Sequence, residues 1–362
     1  MPTITRITTT PFSLPMHGAL RWGKASVMDA AQHVLITVHL SDGSSGVAES
    51  PPRPTIYGET VESVVGIIRD EISPRLVGMA AEPDQVLARL GEIKNNQTAK
   101  GGVDMALHDA LAQSRGLSLA DQLGVTQDRV RVSYILGISD LDSALAEAEK
   151  VYAQGVRVLK VKVGRTWTED LERIRRIRES LPEGVDLYAD ANECFTPQDA
   201  QTKLETLRDQ GLLYCEEPLP VELIWERAAL RAGHHLPLIG DDSCFSEQDL
   251  RRELALDTFD ILNIKTARTG YTESRRMLDR AVAAGKGVMV GSQAGTGIGT
   301  VRAALFAGLP GIHHPSELSF FLKLKTDIID RPIPIHDGFI HLADIAGIRI
   351  DPDLLNEHLL IG

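Results

Sequence analysis

The sequence predicts an α/β protein: a closed (β/α)8-type barrel covered by a smaller α+β domain. Three observations carry this reading. From about residue 130, eight short apolar runs alternate with amphipathic helical stretches. Asp190, Glu216 and Asp241 close three consecutive runs at gaps of 26 and 25 residues, about the length of one βα unit. Before residue 130 the texture differs, with strand-like alternation first and helical periodicity after it.

The first element is the strand-like region 1–50. Within it Gln32 to Leu40 reads as a strand, Ser41-Asp42-Gly43-Ser44 as a turn and Ser45 to Glu49 as the return strand. Residues 59–77 and 83–93 have helical spacing, and 100–115 is an Ala-rich helix ending before Gly116. Residues 1–125 are therefore expected to form a separate α+β domain. The barrel is expected over 126–330, with strands at 130–136, 156–163, 185–190, 212–216, 237–241, 260–265, 287–292 and 311–315. Helices such as Asp140 to Gln154 and Glu169 to Ser180 lie between them. Apolar strands alternating with helices imply a parallel sheet buried on both faces. An open doubly wound sheet is the alternative, but polar residues end many different strands instead of meeting at one switch point. The tail, 331–362, returns to strand-like pieces at Ile333 to Leu342 and Gly347 to Ile350. It is expected to pack back on the N-terminal domain.

Composition narrows the function. The chain has 362 residues, 43% hydrophobic and 24% charged, with a formal net charge of −12. That excludes the basic footprint nucleic-acid binding needs. It leaves room for an anionic small molecule, because local lysines and a metal reverse the sign inside a pocket. Neither a signal peptide nor a membrane span is expected. The three cysteines, at 194, 215 and 244, form no CxxC pair and suit a reducing, cytoplasmic setting. They read as small buried fillers.

The chemistry lies at the strand ends, which in a parallel barrel open onto one face. Asp190, Glu216 and Asp241 would end adjacent strands 3, 4 and 5 and converge on one ion. Oxygen-only ligands favour Mg²⁺ or Mn²⁺ over zinc. A carboxylate ending one strand could instead cap the next helix, but three at matched spacing point to a shared task. Lys160 and Lys162 end strand 2 on the same face. Two adjacent ammonium groups would lower each other's pKa, as a general base requires. Lys265 ends strand 6, diametrically opposite. A carboxylate substrate held between the lysines could lose or gain a proton at its α carbon. Glycines 295, 297 and 299 lack the acidic partner of a dinucleotide loop. His234-His235 and His313-His314 lack a matching zinc ligand set.

Together these residues resemble a known family. Lys160-Val161-Lys162, Asp190-Ala191-Asn192, Glu216-Glu217-Pro218, Asp241-Asp242-Ser243 and Asn263-Ile264-Lys265 are similar to the motif set of the enolase superfamily, in its muconate lactonizing subgroup. Ala99 to Gln113, with Asp104 and Asp109, resembles the helix preceding that family's barrel. The resemblance covers essentially the whole chain and implies a modified TIM barrel. It implies that Asp190, Glu216 and Asp241 hold one divalent ion, Mg²⁺ or Mn²⁺, with Glu217 and Asp242 behind them. It makes Lys162 and Lys265 the acid/base pair. Lys160, Tyr57, Glu317 and Asn192 would bind or support the substrate, with Lys24, whose loop departs from the family, a further candidate. Residues 1–125 and 331–362 would form the domain that caps the barrel mouth. It also implies a small-molecule carboxylate substrate and a homo-oligomer.

Within the family, Pro51 to Glu59, Lys265 to Gly270 and Ser316 to Phe321 resemble muconate cycloisomerases, especially anti-type members. Their reaction is lactonization of cis,cis-muconate through an enediolate, and the anti-type likeness implies Lys265 as the acid. The DxD pair expected after strand 8 in dipeptide epimerases is absent. Leu20 to Ser26, with Trp22 and Lys24, and Ser292 to Gly297 depart from familiar muconate enzymes. A racemase or epimerase of N-substituted amino acids or dipeptides therefore stays open, as does another carboxylate lyase.

Overall fold

A computed structural model describes residues 1–23 and 26–360. The expected Lys24 contact lies outside the described residues. Strands β1 (Ile4–Trp22), β2 (Ser26–Leu40) and β3 (Ser45–Ser50) form an antiparallel sheet. Alternation buries Phe12, Leu14 and Met16 on β1 and Val34, Ile36 and Val38 on β2. Helices Val61–Ile67, Pro83–Leu90 and Gln97–Ser114 follow where the helical spacing lay. The last is buried along most of its length, because small residues let it lie between β3 and the barrel. A Cβ on Gly46 of β3 would sit 2.0 Å from Ala110 N, and one on Gly101 would sit 2.5 Å from Ala267 O. Glycine is thus required on both sides of this helix.

The barrel is built from parallel strands β5 (Tyr134–Leu136), β6 (Val158–Lys162), β7 (Asp186–Asp190), β8 (Cys215–Glu216), β9 (Leu238–Gly240), β10 (Ile261–Ile264) and β11 (Gly287–Val290), adjacent in chain order. Val158, Tyr188, Tyr214, Ile239, Ile261 and Met289 fill the interior. Among the described residues, no helix is long and apolar enough to cross a membrane.

Two details correct the strand count. The eighth expected strand, 311–315, is not regular. His313-His314-Pro315 replaces it, and Pro315 has no N–H to give a ladder. Irregular backbone still closes the seam: Glu317 N donates to Val290 O (2.8 Å), Ser133 N to Ser316 O (2.8 Å) and Ser316 N to Arg131 O (2.8 Å). The expected first strand, 130–136, is split. Its start, β4 (Arg129–Arg131), pairs antiparallel with β12 (Phe339–His341) below the barrel. Residues 339–341 of the tail thus pair with the barrel's entry strand and not with the N-terminal sheet. Among the described residues, the end of the tail bonds to that sheet, through Ser13 N to His358 O (2.9 Å) and Leu360 N to Pro11 O (3.0 Å).

A buried chain of charges fastens cap to barrel. Glu49 on β3 accepts from Thr296 N (2.9 Å) and Gly299 N (3.3 Å) at the start of helix Gly297–Ala307. His33 Nδ1 lies 2.6 Å from Glu49, and its Nε2 lies 2.8 Å from Arg53. Arg53 also donates to Gln293 O (2.8 Å) and Ala294 O (3.2 Å). Burial lowers the His33 pKa, as does Arg53, against the pull of Glu49. Below about pH 6.5 the unfolded chain binds a proton that folded His33 refuses, so stability falls as pH drops. Urea unfolding at pH 7.5 and pH 5.5 is expected to show this loss, at up to about 1.4 kcal/mol per pH unit. His33→Gln should flatten the slope, and an unchanged slope would clear His33 of the effect.

Candidate active site

Strand register assembles the mouth of the barrel. Lys162 stands opposite Asp190, and Asp190 opposite Glu216, on three adjacent strands. Aligned residues of parallel strands face the same way, so these side chains all point inward with Lys160. Asp241 and Lys265 directly follow β9 and β10. Glu317 arrives from the seam. All seven side chains line one cavity of about 430 Å³, roofed by Leu20, Trp22, Ile56 and Tyr57 of the cap.

The groups are buried and closely paired. Lys160 Nζ lies 2.6 Å from Glu317, 2.7 Å from Glu216 and 2.9 Å from Asp190. Lys162 Nζ donates to Asp190 (2.6 Å) and to Asn192 Oδ1 (3.0 Å). Lys265 Nζ donates to Asp241 Oδ2. At Lys160 and Lys265 burial works to lower the pKa, but carboxylates reverse this. Lys160 is raised by Asp190, Glu216 and Glu317, and Lys265 by Asp241 and Asp242. The expectation that neighbouring ammoniums depress each other therefore fails at Lys160, because three carboxylates outweigh one cation. Burial pushes Glu216 up, with Asp190, Glu317 and Asp241 adding to it against Lys160. Asp190 is also pushed up by burial, but Lys160 and Lys162 prevail and hold it low. Asp242 is pushed up to about 7 by burial and by neighbouring Asp241.

The donor set fits a hard divalent cation. As they stand, the carboxylates touch lysines, and among the described residues no three acidic, imidazole or thiol groups gather around one point. Yet the Lys160 ammonium already serves as a cation shared by Asp190 and Glu216. Asp241 Oδ1 is buried with no hydrogen-bond partner among the described residues. Arg268 Nη1 lies 3.6 Å from this oxygen, beyond hydrogen-bond reach, so an ion would supply the close partner that a buried carboxylate oxygen needs.

Supporting residues explain the geometry. Glu217, at φ 36°, turns its carboxylate under the next strand. It accepts from Asp241 N (2.7 Å), Ser243 N (2.9 Å) and Ser243 Oγ (2.6 Å), and Arg227 pairs with it at 3.2 Å. Asn192 occupies the left-handed region that asparagine tolerates. Its Oδ1 also accepts from Gly23 N (3.3 Å), so it joins Lys162 to the cap hairpin. Tyr57 lines the cavity and accepts a hydrogen bond from Gln293 Nε2. Cys215 and Cys244 are buried, and burial pushes both thiols up, as befits fillers. Of the histidine pairs, neither lines this cavity.

Sequence reasoning did not single out several contributors. Tyr188 donates to Glu317 (3.1 Å), Asn263 Nδ2 to Glu216 (3.3 Å), and Arg268 lies 3.6 Å from Asp241. Tyr188 was findable: it precedes Asp190 by two on one strand and must share its face. Phe320 and Lys323 sit on a short turn, Phe320–Lys323, with no periodicity to betray them.

Comparison with known proteins places this architecture. Residues 4–124 match the family model described as mandelate racemase / muconate lactonizing enzyme, N-terminal domain, and residues 143–355 match enolase C-terminal domain-like. The chain belongs to the mandelate racemase/muconate lactonizing enzyme family of the enolase superfamily. It is accordingly an enzyme of that type. A muconate lactonizing enzyme from Mycobacterium smegmatis, solved with muconolactone, is similar at 36% identity and TM-score 0.93, over 99% of this chain and 100% of that one. The L-Ala-D/L-Glu epimerase of Bacillus subtilis is 28% identical over 96% of both chains. The o-succinylbenzoate synthase of Geobacillus stearothermophilus is 31% identical over 88% of this chain and 86% of its own.

Glu217 offers a test of the cation site that needs no substrate. Glu217→Gln should weaken Mn²⁺ binding about 10- to 100-fold by loosening the turn that carries Asp241. Titration followed by electron paramagnetic resonance checks this. An unweakened, folded variant would remove Asp241 from the ion's ligands.

Proposed function

We propose that this enzyme is a divalent-metal-dependent muconate cycloisomerase. The observation carrying this reading is the whole-chain likeness to the Mycobacterium smegmatis enzyme, at 36% identity. The seam supports it: the residues after Pro315 present Glu317, engaged with Lys160, and Ser319, where a dipeptide epimerase would offer acids to an α-ammonium.

Asp190, Glu216 and Asp241 would hold one Mg²⁺ or Mn²⁺. When bound, that ion supplies positive charge against which an enediolate is stabilised. The chain's own residues do the rest. Lys160, fixed by Glu317, orients the reacting carboxylate. Lys162 and Lys265 flank the α carbon from opposite strands, and Lys265 delivers the proton there after the other carboxylate has added to the distal double bond. Tyr57 and Trp22 close the cavity from the cap and exclude water.

A second reading is a racemase or epimerase of N-substituted amino acids or dipeptides. Identity of 28% to the B. subtilis epimerase over 353 residues favours it, as does a lysine on each face. One assay separates the two. With Mn²⁺ in D₂O, cis,cis-muconate should lose its ultraviolet absorbance, and the product should carry deuterium placed by anti addition. Lys265→Ala should lower this rate about 10²- to 10⁴-fold. Syn placement would transfer the acid role to Lys162. Inert muconate beside α-proton exchange in L-Ala-L-Glu would hand the function to the second reading.

A further inference from the structure

One wall of the cavity is largely apolar and holds a buried cation. Leu20 and Trp22 come from the tip of β1, Ile135 from β5, and Phe320 and Lys323 from the turn after the seam. That turn is held against the cap hairpin, with Lys325 N donating to Pro15 O (2.9 Å). Lys323 is 8% exposed and is among the residues that line the cavity. Its ammonium lies 4.4 Å from the centre of the Tyr134 ring and donates to Glu147 Oε1, from helix Leu141–Ala153 behind. That same oxygen accepts from the Tyr134 hydroxyl (2.6 Å), so the one anion beside Lys323 is shared.

Lys323 therefore differs from the lysines at the reacting centre. Lys160 has three carboxylates within 2.9 Å. Lys323 has one, and two of its three N–H bonds have no acceptor among the described residues. Burial lowers its pKa, and Glu147 does not make up the difference. An incompletely neutralised ammonium in an apolar wall is a receptor for an anion.

We propose that Lys323 receives the second carboxylate of the substrate, the one remote from the proton transfer, so that the enzyme selects dicarboxylates over monocarboxylates. The proposal deepens the cycloisomerase reading, which it rests on for a six-carbon dicarboxylate substrate. It requires no chemistry of Lys323, only a charge-assisted hydrogen bond.

The test compares adipate with hexanoate, which have the same chain length and cannot react. Calorimetric titration in Mg²⁺ buffer should find adipate bound about tenfold tighter or more. Lys323→Met should erase that preference while hexanoate affinity holds. The pair Lys323→Met with Glu147→Gln should do the same without leaving Glu147 unpaired, which guards against misfolding. Preference persisting in both variants, or absent from the unaltered protein, overturns the proposal. Muconate turnover, measured alongside, separates the two ideas. Turnover with KM unchanged in the variants sinks the role of Lys323 alone. Absent turnover with the adipate preference lost in the variants sinks the cycloisomerase reading alone.

Discussion

Burying charge at the mouth of the barrel is the constraint on which the rest depends. Asp190, Glu216, Asp241 and Glu317 are all withdrawn from water. Each such ion costs several kcal/mol unless paired with good geometry. Lys160, Lys162 and Lys265 meet that demand, with Arg268 near Asp241. The arrangement is therefore poised. On the proposed function, a divalent ion held by these carboxylates would take oxygens that the ammonium groups now share. The carboxylates proposed to hold the ion and the lysines proposed to move the proton are thus one electrostatic unit. Its outer supports, Glu217 with Arg227 and Tyr188 with Glu317, are likewise paired polar groups in places an apolar residue would pack without cost.

The cap is attached by a different device. Its acids meet the beginnings of barrel helices, where unpaired N–H groups and the helix dipole favour negative charge. Glu49 does so at helix Gly297–Ala307. Asp104 does so where the chain breaks at Gly270, accepting from Tyr271 N (2.6 Å) and Thr272 N (3.0 Å). Asp109 pairs with Arg302 at 2.7 Å. These fastenings lie away from Trp22, Tyr57 and Ile56, which face the cavity. Arg53 and Tyr57, however, belong to both groups: each bonds Gln293 of the barrel and each lines the cavity, so there the attachment of the cap and the shape of the cavity are linked.

Much of this was legible in the sequence, for identifiable reasons. Regular βα spacing put Asp190, Glu216 and Asp241 on adjacent strands, and two-residue periodicity put Lys160 and Lys162 on one face. Both are backbone properties, fixed before any side chain packs. The eighth strand failed at Pro315, where local composition overrides an apolar run. The pKa of Lys160 was misjudged because a pairwise argument within one strand omits carboxylates brought in by two other strands and by the seam. The fastening of Glu49 and Arg53 to Thr296 and Gln293, and the pairing of Lys323 with Glu147, join residues at least 176 positions apart, which no local pattern records. Trp22 was noticed as a departure from relatives, and the structure puts it on the cavity wall.

The irregular seam bears on how the chain folds. It joins residues 131–133 to Ser316, the most widely separated partners in the ring. Contacts of such long range are formed against the greatest loss of chain entropy, so they belong to the late stages of assembly. Every other neighbouring pair of barrel strands can form from one βα unit and the next. Glu317 enters with the seam, and until it does Lys160 lacks one of its three counter-charges. Completion of the active site therefore coincides with completion of the barrel, and a partly folded chain cannot present a working catalytic centre.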